Sequence, residues 1–157
     1  MSKVFYDYFK SPIGFLEIVS SDTGILKCSF SDKIKSSSKN LPKIMNEAKK
    51  QLEKYFSKEL LIFDLNLEII GTKFQLTVWN ELQKIPFGET ISYKELAKRI
   101  GNEKAIRAVG NANGQNPISI IIPCHRVIGS NGNLRGYGGG LEKKKWLLAL
   151  EASIITK

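Results

Sequence analysis

Residues 92–114 read SYKELAKRIGNEKAIRAVGNANG and set the architecture expected for the C-terminal half of the chain. The segment Ser92–Glu95 fits a capping box and predicts the start of a helix, and Gly101 predicts its end. Asn102 is suited to cap a second helix that runs through Ala112. Two helices joined by a tight turn that contains glycine predict a helix-turn-helix.

The second of these helices is unusual because most of its side chains are small. Ala105, Ala108, Gly110 and Ala112 would let the helix backbone approach another surface closely. Two interpretations stay open: the small residues pack on the neighbouring helix, or they face a partner molecule. Arg107 distinguishes them, because an arginine on such a face is able to enter a nucleic-acid stack or to replace an extruded base.

Two further helices are predicted on either side of this unit. The segment Thr72–Gln75 fits a capping box, and apolar residues at helical spacing follow it as far as Pro86. A last helix, Leu141–Ala152, is predicted near the C-terminus. The apolar face of the helix after Thr72 is formed by Phe74, Val78, Leu82 and Ile85.

The first 70 residues follow a different pattern. Apolar runs alternate with turn signals and predict a three-stranded antiparallel meander, followed by one amphipathic helix that covers it. Asn40, two residues before Pro42, is the expected helix start, and residues 62–70 form a strand or an extended linker. The predicted strands are Val4–Phe9, Phe15–Val19 and Ile25–Phe30, and the apolar positions of the predicted helix run from Ile44 to Phe56. We therefore expect an α/β (α+β) protein with domains at 1–70 and 71–157.

The distribution of charge points to a polyanionic partner. The 157 residues carry a formal net charge of +9. Residues 1–70 hold 11 Lys or Arg and 9 Asp or Glu, net +2, whereas residues 71–157 hold 13 and 6, net +7. A solvated lysine-rich surface is the simpler explanation for any single run of charge.

The composition also suggests where the protein works. No segment is apolar enough for a membrane span, and the N-terminus lacks the apolar region of a signal peptide. Two cysteines, Cys28 and Cys124, do not make a disulfide framework. We expect a cytoplasmic protein with reduced thiols and no membrane partner.

The motif IPCHRV, residues 122–127, places a nucleophile beside the single histidine of the chain. Cysteine attacks as a thiolate, so Cys124 needs a base, and His125 needs a carboxylate or a carbonyl to orient it. Glu151 is either that buried carboxylate or an exposed charge at a helix end. The alternative for Cys124, and the expectation for Cys28, is an inert buried side chain. One histidine and two cysteines without a Cys-x-x-Cys spacing argue against a metal site.

A glycine-rich loop separates this motif from the last helix. Gly136 and Gly138–Gly140 surround Tyr137. Such a loop is able to bring backbone N–H groups and one aromatic ring against a planar ligand. It is either a flexible connector or one wall of a pocket for a base.

Four ordered segments, IPFGETISYKELA, RAVGNANGQNP, IPCHRVIG and GYGGGLEKKKWLLALE, make the chain from about Phe74 to Glu151 resemble the O6-alkylguanine-DNA alkyltransferase family. The resemblance implies a winged helix-turn-helix domain after a ribonuclease-H-like domain. It implies irreversible transfer of an alkyl group from the guanine oxygen to Cys124, with no cofactor and one protein consumed per lesion. The implied partner is double-stranded DNA containing O6-alkylguanine, bound by a monomer.

The resemblance also implies catalytic roles at the matching positions. His125 is the water-mediated base for Cys124, and Glu151 orients His125. Asn116 ties the turn before Cys124 to the helix-turn-helix. No residue is assigned to a metal.

The implied base pocket consists of Tyr93, Val127, Tyr137 and Gly138. Tyr93 donates a hydrogen bond to the guanine ring, and the backbone carbonyls of Cys124 and Val127 accept from the exocyclic amine. Arg107 takes the place of the flipped nucleotide on a recognition helix in the minor groove. The implied DNA-contacting positions are Arg107, Ala105, Ala108, Lys94, Asn102, Ser130 and Arg126.

Three other functions compete with alkyl transfer. A non-catalytic sensor of alkylated guanine commonly has tryptophan in place of the cysteine, so Cys124 argues against a sensor. A helix-turn-helix transcription factor would bind a specific operator and show no lesion preference. A cysteine hydrolase is disfavoured because the thioether product of this pocket does not hydrolyse.

Overall fold

The computed structural model describes residues 3–134 and 136–155. Of residue 155 it describes the backbone only. The chain divides into two compact units, residues 1–70 and residues 71–157. The first unit combines a sheet with one helix, and the second is mainly helical, as the predicted α/β class requires. None of the described helices is long and apolar enough to cross a membrane.

The N-terminal unit contains the predicted antiparallel meander. Its strands are β1 (Phe5–Ser11), β2 (Gly14–Ser20) and β3 (Ile25–Ser31), which pair in the order β1-β2-β3. Cys28 lies on β3 and is fully buried. Burial raises the pKa of the Cys28 thiol to about 12, so this side chain stays protonated and packs in the core.

One helix covers this sheet, as predicted, but it starts later than expected. Helix α1 spans Lys43–Phe56, and its N-cap residue is Pro42. The expected start at Asn40 is wrong, because the Asn40 backbone is left-handed, with a φ of 54°. Residues 62–70 form an extended linker in which Leu67 makes a single bridge to Ile25. The buried face of α1 consists of Met45, Ala48, Leu52 and Tyr55.

In the described residues, the C-terminal unit contains four helices, one 3-10 turn and one short parallel strand pair. The predicted helix-turn-helix consists of α3 (Tyr93–Arg99) and α4 (Ile106–Gly114), which pack on α2 (Lys73–Leu82). The elements are α2 (Lys73–Leu82), β4 (Ile91–Ser92), α3 (Tyr93–Arg99), α4 (Ile106–Gly114), the 3-10 turn Cys124–Arg126, β5 (Val127–Ile128) and α5 (Leu141–Ile155).

Both predicted capping boxes open a helix. At α2 the box is complete: Gln75 N donates to Thr72 Oγ1 at 3.1 Å, and Thr72 N donates to Gln75 Oε1 at 2.9 Å. At α3, Glu95 N donates to Ser92 Oγ at 2.9 Å, while the Glu95 carboxylate pairs with Arg99 at 3.0 Å. The local sequence therefore predicts both helix starts correctly.

Helix α4 begins three residues later than predicted. Asn102 does not cap it; the N-cap residue is Ala105, which makes no side-chain cap hydrogen bond. The chain first leaves α3 through Gly101, whose φ is 82°, and the Asn102 carbonyl then accepts from Ala105 N at 3.0 Å. This backbone turn takes up the residues that the sequence pattern assigned to the first helical turn.

A buried tryptophan fixes α4 against α2. Trp79 Nε1 on α2 donates to the Ala112 carbonyl on α4 at 2.8 Å. Val78, Leu82 and Ile85 are buried as predicted, whereas Phe74 at the start of α2 is exposed. The position of α4, and of the loop that follows it, therefore depends on this core.

Candidate active site

Two tight turns carry the chain from α4 to Cys124. The first bends around Ile120, whose φ of 72° is rare and strained for a β-branched residue, and a hydrogen bond of 2.8 Å between its two neighbours closes it. The second bends around Pro123, where Cys124 N donates to the Ile122 carbonyl at 2.8 Å. The nucleophile therefore opens a 3-10 turn.

Asn116 holds both arms of this loop together. Its Nδ2 donates to the Ile122 carbonyl at 2.8 Å, and its Oδ1 accepts from Ile118 N at 3.0 Å. The same amide also lowers the pKa of the Cys124 thiol. Asn116 thus connects the end of α4 to the residues before Cys124, which is the placement that the family resemblance implies.

The Cys124 thiol lies in a buried environment with two polar neighbours. The residue is only 6% exposed. Burial raises the pKa of the thiol, whereas the hydrogen bond from Asn116 and the charge of Lys144 lower it. Desolvation dominates, so the resting thiol is protonated at neutral pH and needs a base before it attacks.

His125 and Glu151 form the predicted pair. His125 Nε2 lies 2.7 Å from Glu151 Oε2, and both side chains are buried. Burial lowers the pKa of His125 although the Glu151 carboxylate opposes that shift, so the imidazole is neutral. An ionised carboxylate accepts only, which assigns the single ring proton to Nε2 and leaves the Nδ1 lone pair open. His125 Nδ1 is buried and has no hydrogen-bond partner within the described residues.

Glu151 stays ionised because several donors surround it. Burial raises the pKa of its carboxyl, but the hydrogen bond from the neutral His125 and the hydrogen bonds and charge of Arg126 outweigh burial and hold the pKa well below its usual range. Gly88 N also donates to Oε1, at 3.3 Å. Of the two interpretations of Glu151 left open by the sequence, the buried carboxylate with a partner is therefore correct.

The expected DNA contact of Arg126 is wrong. Arg126 is 6% exposed, and its guanidinium is held inside the protein. Nε and Nη2 donate to the Glu151 carboxylate at 2.8 and 3.0 Å, and Nη1 donates to the Ile85 carbonyl at 2.7 Å. A buried bidentate ion pair with these further bonds fixes Glu151 and leaves the guanidinium unable to reach DNA.

Lys144 is a site residue that the sequence analysis missed. It lies on α5, two helical turns before Glu151, and its side chain is 0% exposed. Its Nζ is 5.8 Å from the centre of the Tyr93 ring. Burial lowers the pKa of Lys144 to about 8, against the opposing effect of Cys124. The seven-residue spacing from Glu151 was the available signal, but the run of three lysines at 143–145 resembles a solvated surface.

An open cleft of about 1050 Å³ lies beside this buried cluster. Its walls come from the start of α3, from one face of α4 and from the glycine-rich loop after β5. Two of the residues that line the cleft are aromatic: Tyr93 at the start of α3 and Tyr137 in the glycine-rich loop. The lining residues are Tyr93, Lys94, Ile106, Arg107, Gly110, Gly114, Gly129, Ser130, Asn131, Gly136, Tyr137 and Gly138.

The parallel pair β4–β5 aligns the cleft with the nucleophile. Ser92 pairs with Ile128, so the next residues on the two strands, Tyr93 and Gly129, lie side by side on the cleft wall. Strand β5 follows the 3-10 turn Cys124–Arg126 directly. The same short sheet therefore positions the tyrosine and the turn that carries the cysteine.

The structure separates the other predicted site residues into two groups. Lys94, Arg107, Ser130, Tyr137 and Gly138 line the cleft together with Tyr93. The positions that do not line it are Asn102, Ala105, Ala108 and Val127.

The second group is not uniform in its exposure. Ala108 and Asn102 are exposed, Ala105 is half-buried and Val127 is buried. The small residues of α4 are thus divided, because Ala112 packs inward while Ala108 is exposed.

Comparisons with known proteins place both units in one family. Residues 73–153 match the family model described as 6-O-methylguanine DNA methyltransferase, DNA binding domain, and residues 4–69 match its ribonuclease-like domain. The methylated-DNA–protein-cysteine methyltransferase of Methanosarcina acetivorans is 48% identical over 155 residues, which cover 96% of this chain and 99% of that protein.

Solved structures give the same result. The crystal structure of Mycobacterium tuberculosis O6-methylguanine methyltransferase superposes with a TM-score of 0.87 at 45% identity, over 96% of this chain and 94% of that one. A structure of the M. tuberculosis protein in complex with DNA superposes with a TM-score of 0.86 at 45% identity, over 94% and 92% of the two chains. The chain belongs to the O6-methylguanine DNA methyltransferase family.

Proposed function

We propose that this protein repairs DNA by transferring the alkyl group of O6-alkylguanine irreversibly to its own Cys124. The observation that carries the proposal is the 2.7 Å hydrogen bond between His125 and the buried Glu151, in the turn that begins with Cys124. The relatives named methylated-DNA–protein-cysteine methyltransferase and the structure of one homologue with DNA support the same activity.

The proposed reaction balances without a cofactor. The Cys124 thiol gives its proton through a water to His125 Nδ1, and the sulfur forms a bond to the alkyl carbon. The bond from that carbon to the guanine oxygen breaks, and its electron pair stays on the guanine. The guanine then takes up one proton from Tyr93, and the proton that His125 received passes through solvent to the tyrosinate, so Tyr93 and His125 return to their starting states. The product is a thioether, which does not hydrolyse, so each protein molecule reacts once.

Glu151 and Lys144 assist this proton transfer without reacting. The Glu151 carboxylate keeps the ring proton of His125 on Nε2, so that Nδ1 faces the reaction as a base. Lys144 places a buried positive charge near the sulfur, which favours the thiolate over the thiol. Neither group needs to touch the alkyl group.

The cleft beside Cys124 is the proposed pocket for a flipped base. Its volume of about 1050 Å³ is ample for one nucleotide, and Tyr93 and Tyr137 offer apolar faces to a purine. Arg107, exposed on α4, takes the space that the flipped nucleotide leaves in the duplex. The net charge of +7 over residues 71–157 attracts the phosphates, so binding weakens as salt rises.

The protein acts as a monomer in the cytoplasm.

Methyl transfer to Cys124 is the first expected outcome. Incubation with a duplex that contains one O6-methylguanine should add one methyl group per protein molecule, on the peptide that carries Cys124. Intact mass spectrometry followed by peptide mapping measures the adduct. Cys28→Ala should react as the unaltered protein does, because Cys28 is fully buried in the other unit. Lesion binding without an adduct would support the non-catalytic sensor instead.

Lys144→Met should lower the fraction of Cys124 that is present as thiolate near neutral pH. The positive charge of Lys144 lowers the pKa of the thiol, and methionine keeps the apolar stem without that charge. The charge is present below about pH 8, the pKa of Lys144, so the loss is largest near neutrality. Each unit by which the thiol pKa rises lowers the thiolate fraction about tenfold.

The smaller thiolate fraction is measurable in DNA-free protein as a slower reaction of Cys124 with iodoacetamide at neutral pH, with Cys124→Ala as the baseline. Cys28 does not interfere, because its pKa is about 12. Lys145→Met is the matched control, since Lys145 is exposed on the same helix. Equal reaction rates for Lys144→Met and Lys145→Met at neutral pH would remove the assigned role of Lys144.

Arg107→Ala should slow repair of duplex DNA more than reaction with free O6-methylguanine, because only the duplex requires a flipped nucleotide. Flipping costs a few kcal/mol, so a loss on the order of tenfold to a hundredfold is expected for the duplex. Single-turnover rates with both substrates measure it. Arg99→Ala removes an equal charge from α3 and serves as the control. Equal losses on the two substrates would exclude a flipping role for Arg107.

A further inference from the structure

Asn113 is a buried polar residue that the proposed chemistry does not yet use. It lies on α4, six residues after Arg107, and is 2% exposed. An amide inside a protein core is costly unless its groups are hydrogen-bonded. A hydrophobic residue would fill this position more favourably, so the amide needs a reason to be there.

One end of the Asn113 side chain contacts the nucleophile. Nδ2 lies 3.4 Å from the Cys124 carbonyl oxygen and donates to it. The other end, Oδ1, is buried and accepts no hydrogen bond from any of the residues that the structure describes. A buried carbonyl without a donor is unfavourable, because it has lost its hydrogen bonds to water. The single hydrogen bond to the Cys124 backbone would therefore not compensate for burying the other end of the amide.

A second open acceptor lies at the next residue along the chain. His125 Nδ1 is buried and has no partner among the described residues either. Both open acceptors therefore belong to neighbours of Cys124. Asn113 is hydrogen-bonded to the Cys124 carbonyl, and His125 is the next residue in the sequence. A single water has two hydrogens to donate, one to each acceptor, and a lone pair left to accept from the thiol.

We propose that Asn113 is a positioning residue for the proposed alkyl transfer: its Oδ1 accepts a hydrogen bond from the water that carries the Cys124 proton to His125 Nδ1. The thiol gives its proton to the water, and the water gives its other hydrogen to Nδ1 and is restored. Asn113 gains and loses no proton. Asn113, on α4, holds the water through Oδ1 and the Cys124 backbone through Nδ2. It thereby keeps the water in line between the thiol and His125 Nδ1.

The pH dependence of transfer distinguishes this role from simple packing. Asparagine does not titrate, and the ionisable groups around the thiol are Tyr93 on α3, Lys144 on α5 and the His125–Glu151–Arg126 cluster. All of them remain in an Asn113 variant. A change in the pH profile therefore reports the proton path itself.

Asn113→Leu keeps the branching and the number of side-chain heavy atoms and removes both polar amide atoms. With saturating duplex, its single-turnover methyl transfer should be slower near neutral pH by on the order of tenfold to a hundredfold. The rate should recover toward that of the unaltered protein at high pH, where the thiolate forms without the relay. A loss by the same factor at every pH would mean a packing role and would overturn the proposal.

Asn113→Asp provides a second test if the leucine variant fails to fold. It is isosteric, and its negative charge beside the water and thiol opposes thiolate formation, so the pH profile should move to higher pH. An unchanged profile would place the side chain away from the proton path and would overturn the proposal. Ser20→Ala is the control, because the Ser20 hydroxyl is also buried without a partner in the described chain, but in the N-terminal unit.

The unaltered protein in the same assay distinguishes a failure of the proposed function from a failure of the role assigned to Asn113. If it forms no Cys124 adduct, the proposed function fails and this inference fails with it. If it transfers the methyl group and Asn113→Leu keeps the same rate and profile, only the role of Asn113 is overturned.

Discussion

The Glu151 carboxylate, buried on α5, accepts hydrogen bonds from His125, from two nitrogens of Arg126 and from Gly88 N. These donors come from the 3-10 turn of the nucleophile and from the turn after α2. A charge in this position would be strongly unfavourable without them, and removing one member of such a buried pair typically costs about 3–5 kcal/mol. The same hydrogen bonds hold α5 against the 3-10 turn Cys124–Arg126 and fix the orientation of the His125 imidazole.

The charges around Cys124 follow from that arrangement. Arg126 and Glu151 neutralise each other, and burial keeps His125 neutral, so Lys144 supplies the positive charge near the sulfur. A thiolate that forms there is matched by Lys144, whereas the resting thiol is protonated because desolvation dominates its pKa. The site thus keeps the nucleophile unreactive until a base takes its proton, which suits a protein that reacts only once.

Local signals in the sequence predict the local structure well, and long-range contacts explain where they fail. The Thr72 capping box and the meander follow from spacing and residue type, whereas the His125–Glu151 pair follows from the family resemblance, because the residues alone left Glu151 open. The burial of Arg126 and Lys144 has no local signal. Lys144 lies in a run of three lysines, and both side chains are covered by elements distant in sequence. Asn102 fails as a cap because a backbone turn at Gly101 delays α4. The left-handed Ile120 and the buried Asn113 have no sequence signal at all.

The position of the imidazole proton tests the central claim most directly. His125 is the single histidine, so nitrogen NMR of tag-free, uniformly ¹⁵N-labelled protein reports its ring without ambiguity. The account predicts one proton on Nε2 and an unprotonated Nδ1, both at neutral pH and below the ordinary histidine pKa of about 6.5. A proton on Nδ1, or a charged imidazolium at neutral pH, would contradict it, because His125 would then have no lone pair to accept the Cys124 proton.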